Sequence, residues 1–292
     1  MTNNVSDDST NQLEQLECKI LQTCKENSNK LTRDLITVQN RVYAQLESLS
    51  WLQKRLSIKG QLPPLRGWAA SPDVLLRLHT HIMSSRPTIV VELGSGASTL
   101  VIADALRQNG KGKLISIEHS EYYGSLTLSS LQVEYLQSWV DLRIGDLELW
   151  EGEHLNSDDS DKPPRWYPLS ILEGIDNVDL LWVDGPPGAT CLYSRYPALP
   201  ALFNRLSRKA EVWMDDTIRK EEKNICERWA QDYDFELEYH PLEKGLGRMI
   251  RPNNKNTSID SSSKEEFTDQ DDVFTRVLGL SFPLQENDHD IG

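Results

Sequence analysis

The sequence predicts an α/β fold, a mostly parallel sheet with helices on both faces, and three observations predict it. Apolar, β-branched runs at 88–93, 113–118, 139–145, 178–183 and 210–214 alternate with helix-compatible segments at 97–109, 121–137, 196–207 and 217–231, which is the order of repeated βα units. Each apolar run ends at an acidic residue, a glycine or both: Glu92 and Gly94, Glu118, Gly145-Asp146, Asp184-Gly185, and Asp215-Asp216. The first run passes through Gly94-Ser95-Gly96 straight into a helix. Open α/β sheets hold nucleotide-like ligands at such turns, because glycine admits close backbone approach and the helix N-terminus offers free N–H groups.

The remaining elements follow from local pattern. Between about 11 and 57, apolar residues recur in steps of three and four: Leu13, Leu16, Ile20 and Cys24, then Leu31, Leu35, Val38 and Val42, then Leu46, Leu49, Leu52 and Leu56. This spacing predicts a long amphipathic helix with a phase slip near Asn27–Asn29. The narrow stripe suits either packing on its own domain or a coiled-coil arm that dimerises or recruits a partner. Gln61–Gly67 is a turn-rich linker, and Ser71-Pro72-Asp73 starts a helix reaching about Ser84. Short strands near 234–240 and 247–251 have no helix between them and can close as a hairpin. The segment 150–176 is an insertion or lid-like loop, and 252–292 is polar enough to be disordered, apart from an apolar patch at Val273–Pro283. The expected organisation is therefore a helical arm over 1–60, an α/β domain over 61–251 and an acidic tail over 252–292.

Composition narrows the partners. The chain of 292 residues has a formal charge of −14. Its tail holds nine acidic and three basic side chains, a charge of −6, which leaves −8 on the rest. Such a surface repels a polyphosphate backbone, and no basic patch interleaved with aromatics relieves it, so nucleic acid is not expected. A small-molecule or glycan acceptor suits it better. No apolar run approaches the roughly 20 residues of a membrane span, and the N-terminus lacks signal-peptide features, so a cytoplasmic location is expected. Cys18, Cys24, Cys191 and Cys226 are scattered without metal-ligand spacing.

The strand ends carry the chemistry. Glu92 can face a cationic amine, for which a carboxylate suits better than for phosphate, or it can brace the loop. Gly94, Gly96 and Ser98 are candidate ligand contacts around the turn and the helix start. The third glycine of a dinucleotide fingerprint falls at Thr99, which counts against a nicotinamide-dependent oxidoreductase without removing that alternative. Glu118 can accept hydrogen bonds from both hydroxyls of a ribose, with His119 beside it as a surface, capping or catalytic residue. Asp146 can accept an adenine amine or simply turn the chain. Asp184, before the rigid Pro186-Pro187 turn, and Asp215-Asp216 can converge if their strands are neighbours. Three such carboxylates suit magnesium, calcium or another divalent cation, and Asp216 can equally cap the following helix.

The ordered set Glu92-Leu93-Gly94-Ser95-Gly96, Ile117-Glu118-His119, Gly145-Asp146, Val183–Gly188 and Met214-Asp215-Asp216 resembles class I S-adenosylmethionine-dependent methyltransferases, in particular the small-molecule O-methyltransferase branch. The resemblance spans about 66–251. It implies a seven-stranded, Rossmann-like sheet, parallel but for one reversed strand. It also implies that Glu92 and the backbone of Gly94 and Gly96 serve the methionine end of the cofactor, Glu118 the ribose and Asp146 the adenine, with Ser98 a further cofactor-binding candidate. Asp184, Asp215 and Asp216 correspond to the metal ligands of metal-dependent members, although catechol-type enzymes have Asn at the position of Asp216. Relatives with Gly67-Trp68-Ala69-Ala70-Ser71-Pro72 resemble bacterial enzymes of glycosylation systems, which adds a glycosyltransferase partner for the N-terminal helix as a possibility. The implied reaction is methyl transfer to a hydroxyl, with Asp184 or Lys244 as candidate base and the 150–176 and Arg195-Tyr196-Pro197 regions shaping the acceptor pocket. A non-catalytic scaffold acting through the N-terminal helix stays open beside it.

Overall fold

The computed structural model describes residues 4–155 and 162–252, with side chains from residue 15 onward. The expected acidic tail with its Val273–Pro283 patch, apart from residue 252, and the middle of the 150–176 insertion lie outside the described residues.

Helices α1 (Asn4–Arg55) and α2 (Pro72–Ser85) precede β1 (Ile89–Leu93). Then follow α3 (Ala97–Asn109), β2 (Lys113–Glu118), α4 (Glu121–Val133) and β3 (Val140–Ile144). A small antiparallel pair, β4 (Glu148–Leu149) and β5 (Arg165–Trp166), comes before β6 (Val178–Val183). The chain continues with α5 (Ala198–Leu202), β7 (Leu206–Asp215), α6 (Lys220–Asp232), β8 (Glu236–His240) and β9 (Leu246–Ile250). Seven strands form one sheet in the order β3-β2-β1-β6-β7-β9-β8, and β9 alone points opposite to the other six. Strand order reverses beside β1, where an open sheet leaves a ligand crevice at the C-terminal strand ends.

The central strands are apolar throughout because both faces are covered. Val90, Leu180, Trp182 and Trp213 point to the side packed by α2, α3 and the end of α1. Val91, Leu93, Leu181, Val183, Val212 and Met214 point to the side packed by α5, α6 and the 166–175 segment. Across the antiparallel junction, Arg248 donates from Nε and Nη2 to the two oxygens of Glu211 at 2.8 Å each.

Most expected elements appear within a few residues, and the departures have local causes. The helix expected over 196–207 shrinks to α5 followed by a 3-10 turn at Phe203–Arg205, since Pro197 and Pro200 allow only a first turn there. Residues expected to complete that helix instead extend β7 back to Leu206. The 150–176 segment is not a free lid in its described part: Trp166 and Tyr167 are buried in the core, and a 3-10 turn spans Leu169–Leu172.

Helix α1 is two things in one element. Leu52 is fully buried in the core, Gln45 donates to Asp73 at 2.8 Å, and Arg55 donates to Thr80 at 2.7 Å. Farther up the same helix Leu31, Leu35, Val38 and Val42 are exposed. A helix of 52 residues runs about 78 Å, far more than the 14-residue α2 can cover. Among the described residues, no helix is long and apolar enough to cross a membrane.

This asymmetry gives a first prediction. In denaturant titration Leu52→Ala should lose about 2–5 kcal/mol of stability, while Leu35→Ala should stay within about 0.5 kcal/mol. Equal losses would mean that the upper helix is packed as firmly as its base.

Candidate active site

The C-terminal ends of β1, β2, β3, β6 and β7 share one edge of the sheet, and the singled-out strand-end residues gather there. The β1 turn is stitched to both neighbours: Gly94 N–H donates to the Ile117 carbonyl at 2.8 Å, and Asp184 N–H donates to the Leu93 carbonyl at 3.0 Å. Gly94 has φ 91°, and a Cβ there would lie 3.2 Å from the Asp184 backbone, so conformation and close approach both demand glycine. Gly96 stands at the N-cap of α3, where a Cβ would meet nothing within 4 Å. Thr99 Oγ1 accepts from the Gly96 N–H at 2.8 Å, and among the described residues no side chain bonds the first-turn N–H groups beyond it. Open space therefore fronts the first-turn N–H groups, as an anion or polar ligand requires.

Glu92 lies behind the turn, fully buried. Its Oε1 accepts from Ser98 Oγ, and its Oε2 accepts from Thr99 Oγ1 and Ser116 Oγ, each at 2.6 Å. Of the two placements the sequence allowed, the carboxylate adopts the loop-bracing one. The Ser98 hydroxyl is turned inward with it, leaving that residue's backbone toward the helix start. Burial outweighs the three hydroxyl bonds and, with the charge of Glu118 adding to it, pushes the Glu92 carboxyl from 4.5 up to about 7.

Glu118, at the end of β2, is nearly buried and behaves in the opposite sense. Ser95 N–H and Ser120 N–H donate to it at 2.9 and 2.8 Å, and His119 Nδ1 lies 3.0 Å away. Burial raises its carboxyl, but the bonds from His119 and the two backbone N–H groups outweigh that and hold it below the usual range. Asp146 is exposed just past β3, whose Ile144 pairs with Glu118 in register. The two acids thus close adjacent strands.

Asp184, Asp215 and Asp216 do come together: one oxygen from each lies within 4.8 Å of the others. They are not alone. Arg195, 3% exposed, donates from Nη2 to Asp184 Oδ1 at 3.1 Å and to Asp216 Oδ2 at 2.9 Å. The same guanidinium also donates to the backbone carbonyls of Asp184 at 3.0 Å, Asp215 at 3.1 Å and Pro186 at 3.5 Å. Arg219 adds a second guanidinium 3.1 Å from Asp216 Oδ2. Asp216 does not cap α6, whose N-cap is Arg219. With φ 61°, Asp216 occupies the left-handed region, which aspartate tolerates better than most residues.

Asp215 is fully buried, and neither of its carboxylate oxygens has a partner. Burial and then the charge of Asp216 push its carboxyl up to about 7. The Asp184 carboxyl is likewise raised, by burial first and then by Asp215, against the pull of Arg195. Its side chain keeps 11% exposure, against 6% for Asp216. Lys244 approaches the same edge, but its Nζ donates to the carbonyls of Gly67 and Ala69 at 2.8 and 2.6 Å, a donor's geometry rather than a base's.

Tyr167 was not singled out individually by the sequence. It is 2% exposed, its hydroxyl has no partner, and a Cβ on Gly185 would lie 2.6 Å from that oxygen. An orphaned buried hydroxyl therefore sits at the seam of the β1 and β6 loops. A cleft of about 520 Å³ lies elsewhere, between the end of α1 and the 58–65 linker, lined in part by Leu49, Leu56 and Ile58. Chemistry and topology locate the site; cavity size does not.

The Glu92 environment predicts a pH dependence. A carboxyl whose folded pKa is raised contributes stability below its ordinary pKa of 4.5, and that contribution is lost as pH rises through about 7. Glu92→Gln, whose amide can meet the rotatable hydroxyls, should remove this loss. Its stability relative to the parent should improve between pH 5 and pH 8 by up to about 3 kcal/mol. A constant difference across that range would show that Glu92 is ionised throughout.

With the geometry in place, comparison with known proteins gives the following. Residues 91–217 match the model of a family described as a methyltransferase domain. No curated protein matches the chain. Solved structures with a similar fold include a methyltransferase from Geobacter sulfurreducens, 17% identical with TM-score 0.46, covering 73% of this chain and 89% of that one. Another is an S-adenosylhomocysteine-bound methyltransferase from Podospora anserina, 15% identical with TM-score 0.49, covering 71% and 87%. A third is an O-methyltransferase from Bacillus cereus with the same ligand, 15% identical with TM-score 0.48, covering 71% and 90%. Likenesses at this level assign no activity. The segment matched by the methyltransferase-domain family runs from the second half of β1 to just past Asp215-Asp216, and so contains every strand-end residue described above.

Proposed function

We propose that the chain transfers a methyl group from S-adenosylmethionine to a hydroxyl oxygen of a small molecule or glycan. One observation carries this reading: a helix whose first-turn N–H groups take no side-chain bond opens behind the Gly94–Gly96 turn while Glu118 and Asp146 close the next two strands, all inside the segment matching a methyltransferase-domain family. Gly96 leaves the cradle that a donor would fill, and the unpartnered Tyr167 hydroxyl offers it a hydrogen bond. Glu118, held in its ionised form, suits two vicinal ribose hydroxyls. Asp146 suits the exocyclic amine of adenine. Glu92 acts one layer back, holding the turn in shape.

The donor supplies an electrophilic methyl carbon on a sulfonium. As the acceptor oxygen bonds to that carbon, the carbon–sulfur bond breaks and sulfur keeps its electron pair as a neutral thioether. The hydroxyl proton passes to Asp184, the most exposed of the three clustered carboxylates and the one stitched to the Gly94 turn. Its raised pKa brings it nearer to the task of a general base. Lys244 positions the Gly67–Ala69 loop, from which Trp68 projects into solvent. The divalent ion implied by the resemblance fits this donor set poorly, because a guanidinium already lies on two of its three carboxylates. The transfer is written without it.

Calorimetry should detect binding of S-adenosylhomocysteine and none of NAD; the reverse result would move the chain to the oxidoreductase reading. Asp184→Asn should lower kcat by about 10²–10⁴-fold, leave product affinity within a few-fold, and abolish the acid limb of the pH–rate profile. Unchanged turnover in that variant would end the assignment of Asp184 as base.

The exposed stripe of α1 supports a second copy of this chain as its partner, since the stripe keeps the spacing of three and four that the domain covers lower down. Replacing Leu31, Leu35, Val38 and Val42 with Ser should convert a concentration-dependent dimer into a monomer in analytical ultracentrifugation and leave methyl transfer to a free acceptor intact. A monomeric parent protein would refute self-pairing and favour a different partner, and loss of transfer in the monomer would tie activity to assembly.

A further inference from the structure

The geometry points to Arg195 as the resident cation of the Asp184–Asp215–Asp216 cluster: its guanidinium holds the place a divalent ion would need and keeps such an ion out. This goes beyond the methyl-transfer reading and does not depend on it, since it concerns only which cation the carboxylates hold.

The cluster by itself is what a hard cation would choose, three carboxylates with one oxygen each within 4.8 Å of the others. Asp184 Oδ1 and Asp216 Oδ2, however, both lie within hydrogen-bond distance of one nitrogen, Arg195 Nη2, at 3.1 and 2.9 Å. An ion bound to those oxygens at about 2.0–2.6 Å would crowd that nitrogen. A guanidinium cannot yield by losing its proton. Nor is this side chain free to swing aside. It is 3% exposed and also bonded to the backbone carbonyls of Pro186, Asp184 and Asp215, on the loop after β6 and at the ends of β6 and β7. Arg219 places a second guanidinium on Asp216. Of the three carboxylates, only that of Asp215 has no guanidinium bonded to it, and one carboxylate makes a poor divalent site.

Arg195 is on this account a positioning residue. It ties the β6 and β7 strand ends together and aims Asp184 while touching no reactant. The planar fork matters for this: it reaches two carboxylates and three carbonyls together, which a lysine ammonium cannot do.

Free Mn²⁺ measured by electron paramagnetic resonance during titration, at constant ionic strength, tests the inference without any substrate. The parent protein should take up no Mn²⁺ at the cluster. Arg195→Met, which keeps an unbranched apolar stem and removes the charge, should bind Mn²⁺ at least about tenfold more tightly than the parent, and adding Asp215→Asn should abolish that gain. Stoichiometric uptake by the parent that is lost in Asp215→Asn overturns the inference. So does a folded Arg195→Met protein, judged by circular dichroism, that binds no Mn²⁺. Should Arg195→Met not fold, the parent against Asp215→Asn decides alone: uptake lost in the variant overturns the inference, and equal absence of uptake sustains it.

Discussion

Burying carboxylates at one edge of a sheet is the constraint on which the rest of this structure depends. Glu92 and Asp215 are fully enclosed, and Glu118 and Asp216 are nearly so. An ionised carboxylate cannot leave water uncompensated, so each finds a partner or holds its proton more tightly, and the partners differ in kind. Hydroxyls meet Glu92, backbone N–H groups meet Glu118, guanidinium groups meet Asp216, and nothing meets the side chain of Asp215. The resulting pKa directions separate accordingly. Hydroxyls leave Glu92 at about 7, while N–H groups and His119 hold Glu118 low. One edge therefore offers an ionised acceptor at the end of β2 and proton-accepting carboxyls at the ends of β6 and β7, without any change of fold.

The sheet was legible because its strands are buried on both faces and so read as unbroken apolar runs. The strand ends were legible for a related reason: an acid or glycine closing such a run has no packing explanation. That is why Glu118, Asp184, Asp215 and Asp216 stand out from one chain. Orientation was not legible. Period and spacing bring Glu92 to the strand end, but only the hydroxyls of Ser98, Thr99 and Ser116 decide that it faces inward. Asp216 read as a helix cap because Thr217 looked like a helix start, yet three residues intervene before α6 begins at Lys220.

Arg195 and Tyr167 mark the limit more sharply. Both sit in stretches without regular period, and both meet residues 9 to 21 positions away in sequence. Arg195 drew attention only as part of a pocket-shaping region, because no local pattern marks an arginine that will be buried. The available signal was an imbalance: three carboxylates at neighbouring strand ends need a cation, and a charge count of the segment between β6 and β7 narrows the choice to Arg195 and Arg205. For Tyr167 no such signal exists, since only the folded chain brings its hydroxyl against Gly185.

Compensation by an arginine has a consequence for basicity that compensation by a metal would not. Arg195 lowers the pKa of Asp184, yet burial and the neighbouring Asp215 raise it by more, and the net direction is upward. The guanidinium therefore fixes where the carboxylate points without quenching it, because its charge is delocalised and shared with Asp216 and three carbonyls. A divalent ion bound directly to the same oxygens would orient them more tightly and leave them far weaker as bases. In metal sites the loss is offset by acidifying the acceptor itself. On the proposed methyl-transfer reading the burden falls on the Asp184 carboxylate, whose pKa the neighbouring Asp215 raises.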